Sequence, residues 1–217
     1  MKHATPLPSY LTKRYRGWKA TQFEENKAWY ARLADEGQRP RAMIISCCDS
    51  RVHVTAIFGA ETGEFFIHRN IANLIPPHKP DAEPHGTSAA IEYAVKFLKV
   101  SNLLVVGHSD CGGVHGYMDL CSGNAPDLAE PSSFIGHWID ILKPAYEALD
   151  DFEGTEAEKL SALEKEGVKV GLENLMTFPF VRDAVESGTL AIHGVWNDIR
   201  DGHLEFYNPE IDDFEPV

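Results

Sequence analysis

Two short runs in this chain are apolar at nearly every position, Ala42-Met43-Ile44-Ile45-Ser46-Cys47 and Asn102-Leu103-Leu104-Val105-Val106-Gly107-His108. Runs of that length, rich in β-formers, suit strands buried on both faces of a parallel sheet. Glu64 to His68 predicts a third strand, and Leu190–Val195 and His203–Tyr207 predict two more late in the chain. Elsewhere the apolar residues return at helical spacing. Thr87 to Leu98 places Ala90, Tyr93, Ala94, Phe97 and Leu98 on one face, which fits a crossover helix between parallel strands. Phe23, Trp29, Tyr30 and Leu33 among charges predict an amphipathic helix over Ala20 to Glu36, ending near Gly37. Ser132 to Leu149, kinked at Pro144, and Glu156 to Met176 predict long helices, and Asn73 to Pro84 reads as a loop. The expectation is one α/β domain over residues 1–217, with a mostly parallel sheet flanked by helices. Residues 1–37 form an N-terminal helical arm in this reading, and the C-terminal half is mostly helical.

Charge and composition narrow the partners. Lys plus Arg number 20 against 33 Asp plus Glu, and the resulting charge of −13 repels phosphate backbones and anionic lipid surfaces, so neither nucleic acid nor a membrane is an expected partner. Met1 to Trp18 lacks the apolar core of a signal peptide, and no later segment is apolar for long enough to span a bilayer. A cytoplasmic protein is expected. Its four cysteines are too few for a disulfide scaffold, which turns attention to metal binding or catalysis.

The cysteines and their neighbours cluster at two strand ends. Where the first strand stops, Cys47, Asp49 and Arg51 share a face by alternation, so Cys47 and not Cys48 is the expected ligand; Cys48 and Cys121 are read as buried small residues. Where the second stops, His108 and Cys111 lie three residues apart, a spacing that a tight turn or first helical turn brings to one point. A cysteine at a helix start also has its thiolate favoured by unpaired amides. Ligands in open α/β sheets bind beyond the carboxyl ends of strands, so one shared site is the simplest reading. Two sulfurs and one imidazole nitrogen suit Zn²⁺, one per chain, and three protein ligands leave a fourth position for a reactive water. Asp49 could fill that position or accept a hydrogen bond from the water; pairing with Arg51 favours the second role. His53, His68 and His115 read as ordinary surface or packing histidines.

Cys47-Cys48-Asp49-Ser50-Arg51, His68-Arg69-Asn70-Ile71-Ala72-Asn73 and Gly107-His108-Ser109-Asp110-Cys111-Gly112-Gly113, in that order and separation, resemble the signature blocks of the β-class carbonic anhydrases. Gln38 and Ala89-Ala90-Ile91-Glu92-Tyr93-Ala94-Val95 are similar to the plant-type branch. The resemblance implies reversible hydration of carbon dioxide to bicarbonate and a proton, by zinc-bound hydroxide oriented by an Asp49–Arg51 dyad. It also implies that Gln38 hydrogen-bonds substrate, that Phe66, Ile71 and Tyr93 wall an apolar pocket, and that the Gly112 amide donates toward bicarbonate. A homodimer or higher homo-oligomer is implied, with part of the wall coming from a neighbouring subunit. Another branch with an inhibitory bicarbonate pocket carries Trp where this chain has Ile44, so no such switch is expected. Two other readings remain at this level. A carbon disulfide or carbonyl sulfide hydrolase could use the same scaffold, whereas a non-catalytic zinc or nucleotide-binding module finds no glycine-rich phosphate motif in the chain.

Overall fold

One sheet carries β1 (Ala42–Cys47), β2 (Phe65–Asn70), β3 (Asn102–His108), β4 (Ala191–Asn197), β5 (Leu204–Asn208) and β6 (Asp213–Pro216) in the spatial order β2-β1-β3-β4-β5-β6. The first four of these in space are parallel, and β5 and β6 add an antiparallel ribbon at one edge. This computed structural model describes residues 3–81, 83 and 85–217. Ala82 and Pro84 of the expected loop and the first two residues of the expected arm therefore lie outside the described residues. No helix among the described residues is long and apolar enough to cross a membrane.

The chain forms two compact units, residues 1–38 and 39–217. In the first, α1 (Ser9–Trp18) runs into a π-helical turn over Lys19–Phe23, and α2 (Lys27–Glu36) ends at Gly37, whose φ of 73° needs no Cβ. The single helix expected over Ala20 to Glu36 is thus interrupted. Asn26 leaves the helical region at φ −109° and ψ 16°, its backbone and side-chain amides both donating to Gln22 O. Trp18 packs on Phe23 and Tyr30 at centroid distances of 5.4 and 5.9 Å.

In the second unit, α3 (Val54–Ile57) follows β1, and α4 (Gly86–Glu92), continued by a π-helical turn to Leu98, connects β2 to β3. The connection carries the chain from one side of β1 to the other, so the sheet reverses its winding between β1 and β3. After β3 come α5 (Gly112–Cys121), α6 (Phe134–Ile139), α7 (Lys143–Glu147), α8 (Glu156–Thr177) and α9 (Pro179–Glu186). The long helix expected over Ser132 to Leu149 is instead α6, a 3₁₀ turn over Asp140–Leu142, and α7. Pro144 has no amide proton to continue the ladder and sits in the first turn of α7, where none is required.

β1 is buried at all six positions, as the unbroken apolar run demands. Met43, Ile45, Leu103 and Val105 on one face pack against Ile91, Ala94, Val168, Leu172, Leu175, Phe178 and Val181. Ile44, Val106 and Val195 on the other meet Val52 and Val54. α8 starts at a capping box between Thr155 and Glu158 and lies close against the sheet because Gly107 and Gly194 have no side chains. A Cβ on Gly107 would stand 2.7 Å from Val168 Cγ2.

Candidate metal centre

Cys47 ends β1 and His108 ends β3, the two strands that flank the reversal in winding, and Cys111 is the N-cap of α5. Their ligating atoms all lie within 4.8 Å of one another and all three residues are buried. The two Sγ atoms are 3.9 Å apart. Two thiolates at about 2.3 Å from a tetrahedral zinc stand about 3.8 Å apart, so the sulfurs already occupy one edge of such a site. His108 supplies an independent test of fit. Its Nδ1 meets Ser109 O at 2.8 Å, which fixes the proton on that nitrogen, and its Nε2 is buried facing the sulfurs with no hydrogen-bond partner among the described residues. An unpaired buried acceptor is costly unless something electrophilic meets it. The donor set fits zinc.

The polypeptide also prepares the sulfurs. The backbone amides of Ala72 and Asp49 donate to Cys47 Sγ at 3.3 and 3.4 Å. The hydrogen bond from the Cys111 thiol, opposed by burial and reinforced by His108 and the Asp49 amide, holds the Cys47 thiol well below its ordinary value. Cys111 is pushed up, first by that same partner and then by burial, although the Gly113 and Val114 amides at the start of α5 favour its thiolate. Two buried thiolates side by side repel each other, so a cation between them would favour both. Ala72 reaches Cys47 by adopting φ 58°, and Trp138 Nε1 fixes the same loop by donating to Ile71 O at 2.8 Å. Gly113 lets α5 approach, since a Cβ there would meet Ile71 Cγ2 at 2.8 Å.

Beside the sulfurs, Arg51 grips Asp49. Its Nε and backbone amide donate to Oδ1 at 3.0 and 2.9 Å, and its Nη2 donates to Oδ2 at 2.7 Å. The guanidinium keeps the Asp49 carboxyl well below the usual carboxylate range. The same Nη2 donates to Asp110 O, tying the loop after β1 to the turn before α5. Both Asp49 oxygens are thus engaged, and among the described residues the group that could hold a metal ion consists of Cys47, His108 and Cys111.

The other residues singled out from sequence fall in different places. Ile71 adjoins Ala72 and is partly exposed, and Gly112 is the exposed first residue of α5. Phe66 and Tyr93 pack on each other at 5.8 Å, but Phe66 pairs in register with Met43, four residues before Cys47, or about 13 Å back along the strand. A single chain does not bring them to its own sulfurs. Gln38 is the last residue of the first unit. Cys48 and Cys121, expected to be buried, are exposed: Cys48 points away from Cys47 by strand alternation and lines a 410 Å³ apolar groove with Ile71, Phe134 and Trp138.

Two functional contributors escape a reading of sequence alone. Arg69 donates to the carbonyls of Cys47, Asp49 and Val52, clamping the loop that presents the first ligand. Glu164 is buried on α8 and accepts from the Cys111 amide at 2.9 Å and the Trp196 indole at 3.1 Å, with burial pushing its carboxyl up to about 7. The available signal for Glu164 is its place between Leu160 and Val168 on an otherwise apolar helix face.

Comparison with known proteins places this arrangement among relatives. The family model described as carbonic anhydrase matches residues 42–204, from the first residue of β1 to the first of β5. Beta carbonic anhydrase 3 of Arabidopsis thaliana is 38% identical over 193 residues, covering 88% of this chain and 72% of that protein. The chloroplastic beta carbonic anhydrase 5 of the same plant is 33% identical over 197 residues, covering 90% of this chain and 63% of its own length. Among solved structures, a tetrameric β-carbonic anhydrase of Sordaria macrospora superposes with a TM-score of 0.74 at 30% identity, over 91% of this chain and 94% of that one.

Proposed function

This chain belongs to the β-carbonic anhydrase family, and on that premise we propose that it is a zinc lyase interconverting carbon dioxide and bicarbonate. The observation that carries the reading is the buried Cys47–His108–Cys111 cluster with its unpaired imidazole nitrogen. Cys47 and Cys111 as thiolates and His108 as neutral imidazole would hold the metal, the Ser109 carbonyl fixing the imidazole proton on Nδ1 and leaving Nε2 free to ligate. When bound, zinc supplies a Lewis acid that turns a water into a nucleophile, less strongly here than with three neutral ligands because two thiolates offset its charge.

Asp49 then orients that nucleophile. Its carboxylate is ionised throughout the neutral range, so it acts as a hydrogen-bond acceptor and not as a store for the departing proton. Arg51 fixes the carboxylate plane through two parallel contacts. Ile71 contributes apolar surface beside the metal for carbon dioxide, and the Gly112 amide, unpaired at the start of α5, donates toward a bicarbonate oxygen. Gln38 takes the substrate hydrogen bond that likeness to the family assigns it.

The position of Phe66 and Tyr93 supports a homodimer or higher oligomer. Their exposed cluster, extended by Phe97 at 69% exposure, lies on the edge-strand side of the sheet and is available to wall a second copy's site. Four free thiols suit a reducing compartment such as the cytoplasm.

Asp49→Asn tests the dyad. The variant should bind zinc like the wild type and lose most of its carbon dioxide hydration; full activity would remove Asp49 from the reaction. Parallel assays with carbonyl sulfide and carbon disulfide decide the substrate class, carbon dioxide being turned over far faster than either. A preference for a sulfur substrate would contradict the proposal.

A further inference from the structure

Glu164 is a buried carboxyl group that the proposed reaction leaves unused. It is 3% exposed, and its two oxygens meet two groups that can only donate, the Cys111 amide and the Trp196 indole. Resting on the zinc reading above, we propose that Glu164 is a positioning residue whose carboxylate sets the direction of Cys111 by anchoring that residue's backbone to α8.

Three features of the site call for such an anchor. Cys111 follows Asp110, a non-glycine residue held at φ 54°, and a turn in that sparsely occupied region persists only where its surroundings fix it. Arg51 holds the turn from one side through Asp110 O, and Glu164 holds it from the other through Cys111 N. α8 can deliver a carboxylate there because Gly107 lets the helix lie close to β3. An apolar side chain at 164 would leave two buried N–H groups without acceptors, whereas a carboxylate satisfies both.

The same geometry separates a carboxylate from its amide. Glutamine has one oxygen and one NH₂ group, so at this position one donor would face another. Removing the indole donor with Trp196→Phe frees the glutamine to turn its oxygen to Cys111 N. The experiment compares the zinc-loaded wild type, Glu164→Gln, Trp196→Phe and the double variant. Zinc Kd is measured by chelator competition, with thermal melting of each apoprotein alongside.

Glu164→Gln should weaken zinc binding by roughly 10–100-fold, as loss of an outer-sphere partner commonly does. Trp196→Phe alone should have little effect, and the double variant should recover most of the lost affinity. Unchanged zinc affinity in Glu164→Gln overturns the proposal, and so does a loss that Trp196→Phe fails to rescue. If Glu164→Gln does not fold, the double variant decides alone: near-native zinc affinity supports the role, and failure to bind overturns it. A wild-type protein that binds no zinc would instead overturn the zinc reading itself.

Discussion

Ser46 and Cys47 are neighbours on β1, and strand alternation sends them to opposite fates. Cys47 receives two backbone amides, whereas the Ser46 hydroxyl is fully buried without a partner, on the same face as Ile44. Ser46→Ala removes an unpaid polar group, so urea unfolding should show stability unchanged or raised by about 1 kcal/mol. Cys47→Ala should abolish zinc retention in metal analysis after dialysis. The depressed Asp49 carboxyl gives a prediction with a definite sign. Its folded pKa lies below the unfolded value of about 3.9, so its pairing with Arg51 stabilises the fold above that pH and is lost as pH falls further. The stability difference between wild type and Asp49→Asn should therefore stay constant from about pH 9 to 5 and shrink below about 4. The convergence of Cys47, His108 and Cys111 was legible in the sequence because residue type and spacing carry their chemistry. Arg69 and Glu164 were not, because their partners are backbone groups delivered by other elements.

At the scale of elements, apolar runs identified the buried strands well, and the crossover helix between β2 and β3 followed from its periodicity. The ends moved where polar residues continue a ladder: β2 extends to Asn70 and β4 to Asn197, past the apolar residues that mark them in sequence. β6 and α9 carry too few residues to set a period, and the run from Ser132 to Leu149 broke because Pro144 cannot continue a helix from its N-terminal side. Close packing of α8 on β3 depends on a missing side chain, a dependence invisible before the elements meet. Gly107→Ala should cost about 1–3 kcal/mol in denaturant unfolding, because Val168 Cγ2 at 2.7 Å must move. A cost near zero would mean that α8 is free to shift.

At the scale of the molecule, the proposed role of Phe66 and Tyr93 in walling a second copy's site makes assembly testable through activity. Tyr93 is 44% exposed and packs on Phe66, whose partner in register is Met43, four residues or about 13 Å along the strand from Cys47. Sedimentation should find at least a dimer, and Tyr93→Glu should shift it toward monomer and lower hydration while zinc content holds. Need for a second copy was readable only through likeness to a family, since composition carries no such information. The most direct test of the whole account is stopped-flow carbon dioxide hydration by the purified protein across about pH 6.5 to 9, with zinc per chain counted on the same sample. The account predicts one zinc per chain and a rate that climbs toward alkaline pH; a zinc-replete protein that hydrates no carbon dioxide at any pH would contradict it.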